Sequence, residues 1–87
     1  IVIVIGLWLQ INVLSWALLT FAIGGVWVTE CLNTAIEAAI DLGTSDPHPL
    51  AKIGKDVAST AALVSSIVFV VIVVLILLPR LLDRIAG

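Results

Sequence analysis

Four acid and amide side chains share one face of a helix-forming segment in the middle of the chain. At about 100° per residue they fall within an arc of about 80°, which extends roughly 16 Å along a helix. Two of the acids are four residues apart, a spacing that destabilises a helix unless a cation lies between them. Carboxylates, together with waters and phosphate oxygens, are ligands that Mg²⁺ prefers. The four residues are Glu30, Asn33, Glu37 and Asp41.

A second polar stripe follows in the next helix-forming segment. It contains Lys52, Lys55, Asp56 and Ser59, which lie within about 100° of one another on a helix. Because the turn between the two segments is short, we expect the helices to be antiparallel neighbours with their stripes facing each other.

Two interpretations of these stripes remain open. Lys52 and Lys55 could form interhelical ion pairs with Glu37 and Asp41 that hold a hairpin together, with Asn33 as a packing residue. Alternatively, the stripes form a ligand or reaction site. The second interpretation is favoured by the count of charges, because five acids against two lysines in residues 30–56 leave carboxylates without a partner. His48 by itself is typical of a turn or capping residue.

The composition requires that these residues be positioned in a membrane. The 87 residues are 62% hydrophobic and 11% charged, whereas charged residues are about a quarter of an ordinary soluble domain. Seven of the ten charges lie between residues 30 and 56, and the other three lie between residues 80 and 84. The net charge of −2 provides no basic patch for phosphate contacts, so nucleic acid is excluded as a partner.

The two uncharged runs predict an all-α helical bundle. Residues 57–79 fit one crossing of a bilayer, which takes about 20 apolar residues. Residues 1–29 are interrupted by Gln10, Asn12 and Ser15, and we interpret this break as a tight turn. Residues 1–9 are then the truncated end of a first transmembrane helix, and the second begins at Val13. One strongly tilted helix through the whole run is the alternative.

The ends of the second and third helices are marked by glycine and proline. Gly43 suits a helix C-terminus, and Pro49 suits the first position of the third helix. We expect Pro79 to end the membrane part and to precede a short amphipathic tail, residues 80–86. The positive charges are balanced at the two membrane faces, so they do not fix the orientation.

The segments E-C-L-N-T-A-I-E-A-A-I-D at residues 30–41 and H-P-L-A-K-I-G-K-D at residues 48–56 resemble the prokaryotic diacylglycerol kinase family, which includes the undecaprenol kinases. With the flanking spans, the resemblance covers essentially all 87 residues. It implies one integral membrane kinase domain with three transmembrane helices per subunit. It also implies a homotrimer whose active sites, shared between subunits, transfer the γ-phosphoryl of MgATP to a lipid hydroxyl.

The resemblance also implies a role for each site residue. Glu30 corresponds to the general base, and Ser59 is expected beside it at the lipid substrate. Asn33 and Asp41 are supporting polar groups. Glu37 corresponds to a ligand of the Mg²⁺ that accompanies the nucleotide. The remaining nucleotide-binding positions are Asp46, His48, Lys55 and Asp56.

Members of this family carry an N-terminal surface helix and a second metal-binding glutamate before the first span. Neither is in these residues, and the chain contains no Met, so we expect it to be a fragment. An ATP-dependent enzyme would have the turn between residues 41 and 55 in the cytoplasm of a prokaryote, at its inner membrane. Residues 48–52 resemble the undecaprenol branch more than the diacylglycerol branch.

Two hypotheses from other classes make different predictions. A small proton-coupled transporter would use Glu30 as an intramembrane carboxyl group and would need no ATP. A structural membrane subunit would use its charges only to pair with one another. In that case loss of Lys55 would cost stability, and nucleotide would not raise the melting temperature.

Overall fold

The computed structural model describes residues 1–43 and 47–87, which form three helices and contain no strand. Helix α1 is Val2–Leu9, α2 is Val13–Gly43 and α3 is Pro49–Ala86. The described residues extend over 60 × 18 × 18 Å. The predicted all-α fold with three helices is therefore confirmed.

The break between α1 and α2 is a tight turn at Gln10. This residue adopts the left-handed conformation, with φ 54° and ψ 51°, and its N–H donates to the carbonyl of Leu7 at 3.3 Å. Asn12 then begins α2, because its side-chain oxygen accepts a hydrogen bond from the Ser15 N–H at 2.8 Å. The turn that the sequence predicts is confirmed, and the alternative of one continuous tilted helix is wrong.

Helices α2 and α3 pack against each other in antiparallel directions. Lys55 pairs with Asp41 near the connecting turn, while Gly25 lies close to Ser65, so that a Cβ at Gly25 would be 3.5 Å from Ser65 Oγ. The two helices therefore run in opposite directions along their contact, as predicted.

The start of α3 follows from its first residues. Pro49 occupies the first turn, as expected from its fixed φ. His48 is the capping residue, and its Nδ1 accepts a hydrogen bond from the Leu50 N–H at 3.1 Å. The interpretation of His48 as a capping residue is therefore confirmed.

Four of the buried apolar residues form a cluster at the end of the bundle that is farther from the acidic stripe. Leu9, Ile11, Leu19 and Leu77 form this cluster, in which all three helices meet. Most other large apolar side chains are exposed, and both α2 and α3 are long and apolar enough to cross a membrane. Such an apolar surface suits lipid, where a helix satisfies its own backbone hydrogen bonds.

The tail predicted after Pro79 is a continuation of the third helix. Helix α3 continues through Pro79 to Ala86. The tail is held by α1, because the Arg84 guanidinium lies 4.7 Å from the centre of the Trp8 ring and Leu81 packs against the buried cluster. These contacts offset the one backbone hydrogen bond that a proline removes.

Replacing Gly6 by alanine should destabilise the packing of α1. A Cβ at Gly6 would be 2.9 Å from the Trp16 ring and 3.2 Å from Ile11 Cδ1. We expect a cost of about 1 to 3 kcal/mol from overpacking, offset in part by the gain of about 1 kcal/mol from the better helix former. Thermal unfolding of the full-length protein in detergent measures the effect.

Gly24→Ala is the matched control, because no atom lies within 4 Å of a Cβ at that helical position. The control should keep or raise the melting temperature. Equal shifts for both variants would contradict the packing described for Gly6.

Candidate active site

The predicted acidic stripe lies on α2 where the helix leaves its uncharged run. Glu30 is exposed, whereas Asn33 and Glu37 are half-buried against α3. Helix formation here follows from the residue types, because residues 30–42 contain neither glycine nor proline and are rich in alanine, leucine and isoleucine. The helix thus holds two carboxylates and one amide at fixed separations on one face.

Lys55 provides the cation that the acidic stripe requires. Its ammonium group donates a hydrogen bond to Asp41 Oδ1 across the two helices. Lys55 precedes the uncharged run of residues 57–79, and its pKa is raised, mainly by the hydrogen bond to Asp41 and also by the charges of Asp41 and Glu37. Lys55 therefore stays protonated beside both acids, and the two stripes face each other here as predicted.

Among residues 1–43 and 47–87, the remaining charges of the second stripe do not pair across the helices. Lys52 lies 3.6 Å from Asp56, one turn away on α3. Among the described residues it therefore does not form the interhelical ion pair with Glu37 or Asp41 that one of the two interpretations allowed. Ser59 is exposed on α3, one turn beyond Lys55. Asp46 lies outside the described residues.

The structure thus accounts for only part of the surplus negative charge. Within residues 1–43 and 47–87, the ion pairs are Lys55 with Asp41 and Lys52 with Asp56. Neither Glu30 nor Glu37 forms an ion pair with a described residue. The interpretation that the acids serve only to hold the hairpin together therefore leaves these two carboxylates unexplained.

Asp41→Asn should change stability by less than about 1 kcal/mol, because exposed ion pairs contribute little. The side chains of Lys55 and Asp41 are 39% and 64% exposed. Chemical unfolding of the full-length protein in mixed micelles measures the difference. A loss of several kcal/mol would show that the pair holds the hairpin together, as the structural-subunit hypothesis requires.

The sequence did not predict a groove between α2 and α3 that begins beside Asn33. Its volume is about 470 Å³. The Asn33 Oδ1 atom is buried and has no hydrogen-bond partner among the described residues. The small residues of α3 were the one signal in the sequence for this groove, since they allow helices to approach closely. They do not show where between the two helices a gap remains. The lining residues are Thr29, Leu32, Asn33, Ile36, Gly54, Val57, Ala58 and Ala61.

The described residues fit a magnesium ion that is bound together with phosphates. Within residues 1–43 and 47–87, no three acidic, histidine or cysteine side chains converge on one point. Mg²⁺ is commonly bound by only one or two carboxylates, with waters and substrate phosphates as the other ligands. Glu37, half-buried and without an ion-pair partner among the described residues, meets that requirement.

The fold and the site define the class of the protein. It is an apolar helical bundle with acids and a lysine near the turn between α2 and α3. Comparison with known proteins gives the family. Residues 1–77 match the family model described as prokaryotic diacylglycerol kinase. The chain belongs to the prokaryotic diacylglycerol kinase family, so the predicted family of lipid kinases is confirmed and the chain is a membrane protein.

Several curated relatives are similar to most of the chain. The undecaprenol kinase of Bacillus subtilis (strain 168) is 40% identical over 80 residues, which are 92% of this chain and 65% of the relative. The diacylglycerol kinase of Escherichia coli (strain K12) is 38% identical over 69 residues, 79% of this chain and 57% of the relative. No solved structure gave a significant match.

The chain thus spans less than two-thirds of the length of these curated relatives. The matches establish the family but assign no role to a single residue. The roles of the site residues therefore remain predictions.

Proposed function

We propose that the protein is an ATP-dependent lipid kinase, which transfers the γ-phosphoryl group of MgATP to the hydroxyl of a membrane lipid. The observation that carries this proposal is the arrangement at the end of the bundle. Two carboxylates, Glu30 and Glu37, lie on one face of α2, and neither forms an ion pair with a described residue. The charge of Glu37 contributes to the raised pKa of Lys55 on α3. Family membership supports the same activity.

The two glutamates are separated along α2 in the order that this reaction needs. Glu30 directly follows the uncharged run, whereas Glu37 lies about 10 Å further along the helix, toward the charged turn. A carboxylate near the apolar run can reach a lipid hydroxyl, and one near water can reach a soluble nucleotide. This order favours Glu30 at the acceptor and Glu37 at the phosphates.

In the proposed reaction, the lipid oxygen attacks the γ-phosphorus and the Glu30 carboxylate accepts the hydroxyl proton. A bond forms between the lipid oxygen and phosphorus, the bond from phosphorus to the bridging oxygen breaks, and ADP leaves. Magnesium bound with the nucleotide would neutralise phosphate charge. Lys55 adds a fixed positive charge next to Glu37, and positioning and charge neutralisation supply most of the catalysis in such transfers.

The other predicted residues are assigned supporting roles. Asn33 and Asp41 orient neighbouring groups, and Ser59 lies on the acceptor side. His48, the cap of α3, and Asp56 are at the charged end of the bundle, where the nucleotide would bind. Asp46 is proposed for the same nucleotide site on the family resemblance alone.

We also propose an assembly and a location. The protein is a homotrimer with shared active sites in the inner membrane of a prokaryote, and the turn between α2 and α3 is cytoplasmic, because ATP is there. Chemical crosslinking in membranes tests the trimer. Protease or thiol-reagent access to the turn from the cytoplasmic side tests the orientation.

The proposed acceptor is undecaprenol rather than diacylglycerol. The support is the segment H-P-L-A-K at residues 48–52 and the match to the undecaprenol kinase of Bacillus subtilis over 80 residues, which is longer than the 69 residues matched in the diacylglycerol kinase of Escherichia coli. Competition between the two lipids in one assay should give mainly undecaprenyl phosphate. A preference for diacylglycerol would overturn the acceptor while leaving the kinase proposal intact.

Transfer of ³²P from labelled MgATP to lipid tests the activity itself. The full-length protein in vesicles should give a phosphorylated lipid that requires Mg²⁺. The proposal fails if neither undecaprenol nor diacylglycerol is phosphorylated. The same vesicles distinguish the transporter hypothesis, which family membership does not favour, because that hypothesis requires solute flux driven by a pH gradient without ATP.

A further inference from the structure

Two arginines lie at the end of α3 that is farther from the acidic stripe. Arg80 and Arg84 are separated by one helical turn, so they lie on one side of the helix, about 40° apart. The only other charged residue within residues 1–29 and 57–87 is Asp83. This part of the chain is therefore positive, although the chain as a whole has a net charge of −2.

Arg84 is held in place by α1. Its guanidinium group lies over the Trp8 ring, 4.7 Å from the ring centre, a distance at which a cation and an aromatic face attract each other. Such a contact uses the flat face of the guanidinium group, whereas its five N–H donors lie in the plane and point outward. Arg84 is therefore fixed in position and still has donors for a ligand.

No described acid neutralises the two arginines. Within residues 1–43 and 47–87, both ion pairs lie near the turn between α2 and α3, so neither Arg80 nor Arg84 pairs with a carboxylate, although Asp83 is on the same part of α3. Arg80 is half-buried, which restricts its side chain. Guanidinium groups bind phosphate oxygens in bidentate geometry. Two of them one turn apart suit a phosphate group.

The depth of the arginines in the membrane favours a lipid phosphate over a soluble one. The uncharged run of residues 57–79 is about 35 Å long as a helix, slightly more than the roughly 30 Å of the hydrocarbon layer. Arg80 therefore lies where α3 enters the headgroup region, and Arg84 lies about 6 Å further along. The other side of this part of α3 exposes apolar side chains that suit contact with lipid. They are Leu78, Leu82 and Ile85.

We propose that Arg80 and Arg84 bind the phosphodiester group of an anionic phospholipid such as phosphatidylglycerol, with Trp8 holding Arg84 in position. The bound lipid links α3 to α1, because its phosphate contacts an arginine that already lies against α1. The inference does not depend on the proposed kinase activity. It requires only that the bundle spans a membrane.

A fixed site differs from the diffuse attraction of a cation to an anionic membrane. Two arginines and one aspartate leave one net positive charge, and one such charge near the surface gives about a fivefold preference for anionic lipid. Two guanidinium contacts to one phosphate should give a larger preference, up to about 25-fold if each contributes equally. Lysine lacks the planar bidentate geometry, so replacing arginine by lysine keeps the diffuse attraction but removes the site.

Quenching of Trp8 fluorescence by a brominated lipid measures which lipid lies next to the site. The full-length protein is placed in phosphatidylcholine vesicles that contain a small fraction of brominated phosphatidylglycerol, and the signal of the Trp8→Phe variant is subtracted. Trp8 should be quenched as if phosphatidylglycerol were enriched more than about fivefold over its bulk fraction, the limit for diffuse attraction. Enrichment at or below that value would overturn the proposal without reference to any arginine variant.

Inorganic phosphate distinguishes a lipid site from a site for soluble anions. Unlabelled phosphatidylglycerol should reverse the quenching of Trp8, whereas inorganic phosphate, at an ionic strength matched with chloride, should not. Reversal by inorganic phosphate would overturn the assignment of the ligand as a lipid.

The double variant Arg80→Lys/Arg84→Lys keeps both charges and should lower the enrichment to about fivefold or less. Asp83→Asn is the matched control on the same part of α3, and it should keep or raise the enrichment because it removes the neighbouring negative charge. Undiminished enrichment in the lysine variant would indicate diffuse attraction and overturn the site, as would an equal loss in Asp83→Asn. If the lysine variant fails to fold, the enrichment around the wild-type protein decides.

Discussion

Replacing Glu30 by glutamine is expected to lower kcat for lipid phosphorylation by about 10²-fold to 10⁴-fold, the usual contribution of a positioned general base. Glutamine keeps the size and polarity of the side chain but cannot accept the hydroxyl proton. Glu30 is exposed on the bundle, so folding should be unaffected. Initial rates of ³²P transfer in mixed micelles, together with the melting temperature, measure both effects.

Asp83→Asn is the control for loss of one carboxylate. Asp83 is exposed near the end of α3 that is farther from the acidic stripe. The activity of the Asp83→Asn variant should stay within about twofold of wild type, since surface changes away from a site have small effects. Undiminished activity of Glu30→Gln, or an equal loss in Asp83→Asn, would show that Glu30 is not the base.

Replacing Lys55 by alanine should lower kcat/KM for MgATP by about 10²-fold to 10³-fold, similar to the loss of one preorganised charge-stabilising donor elsewhere. Among the described residues, Lys55 is the only lysine of α3 whose ammonium group pairs with α2, where Glu37 and Asp41 lie. The expected loss of stability is less than about 1 kcal/mol, because the pair with Asp41 is exposed. Enzyme kinetics and unfolding, measured on one preparation, compare the loss of activity with the loss of stability.

Lys52→Ala removes the same charge one turn earlier on α3 and serves as the matched control. Lys52 is 81% exposed and pairs with Asp56 on its own helix. We expect a much smaller loss of activity from this variant. Equal losses from both lysines would indicate a general charge effect, and a large loss of stability in Lys55→Ala without a nucleotide effect would favour the structural-subunit hypothesis.

Local sequence signals were sufficient for the helices, but not for contacts between distant segments. The polar residues at positions 10, 12 and 15 predicted the break between α1 and α2, because a left-handed turn and a capping Asn12 need only neighbouring residues. Pro79 gave no sign that residues 80–86 continue α3, since the tail contacts Trp8 in a helix far away in sequence.

The same distinction applies to the site. Helical periodicity placed Glu30, Asn33 and Glu37 on one face, and the short turn predicted that Lys55 could reach Asp41. Periodicity could not predict that Lys52 would pair with Asp56 instead, because that choice depends on how the two helices are rotated about their axes. The groove beside Asn33 depends on the same rotation and on the gap that small residues leave.

The most direct test of the central claim is a structure of the full-length protein with a nonhydrolysable MgATP analogue and a lipid alcohol. The account predicts the lipid hydroxyl within hydrogen-bond distance of the Glu30 carboxylate and Mg²⁺ at about 2.0 to 2.1 Å from a Glu37 oxygen. Lys55 should contact the phosphates. Nucleotide bound away from α2, or both glutamates turned toward solvent or paired with the protein's own lysines, would contradict it.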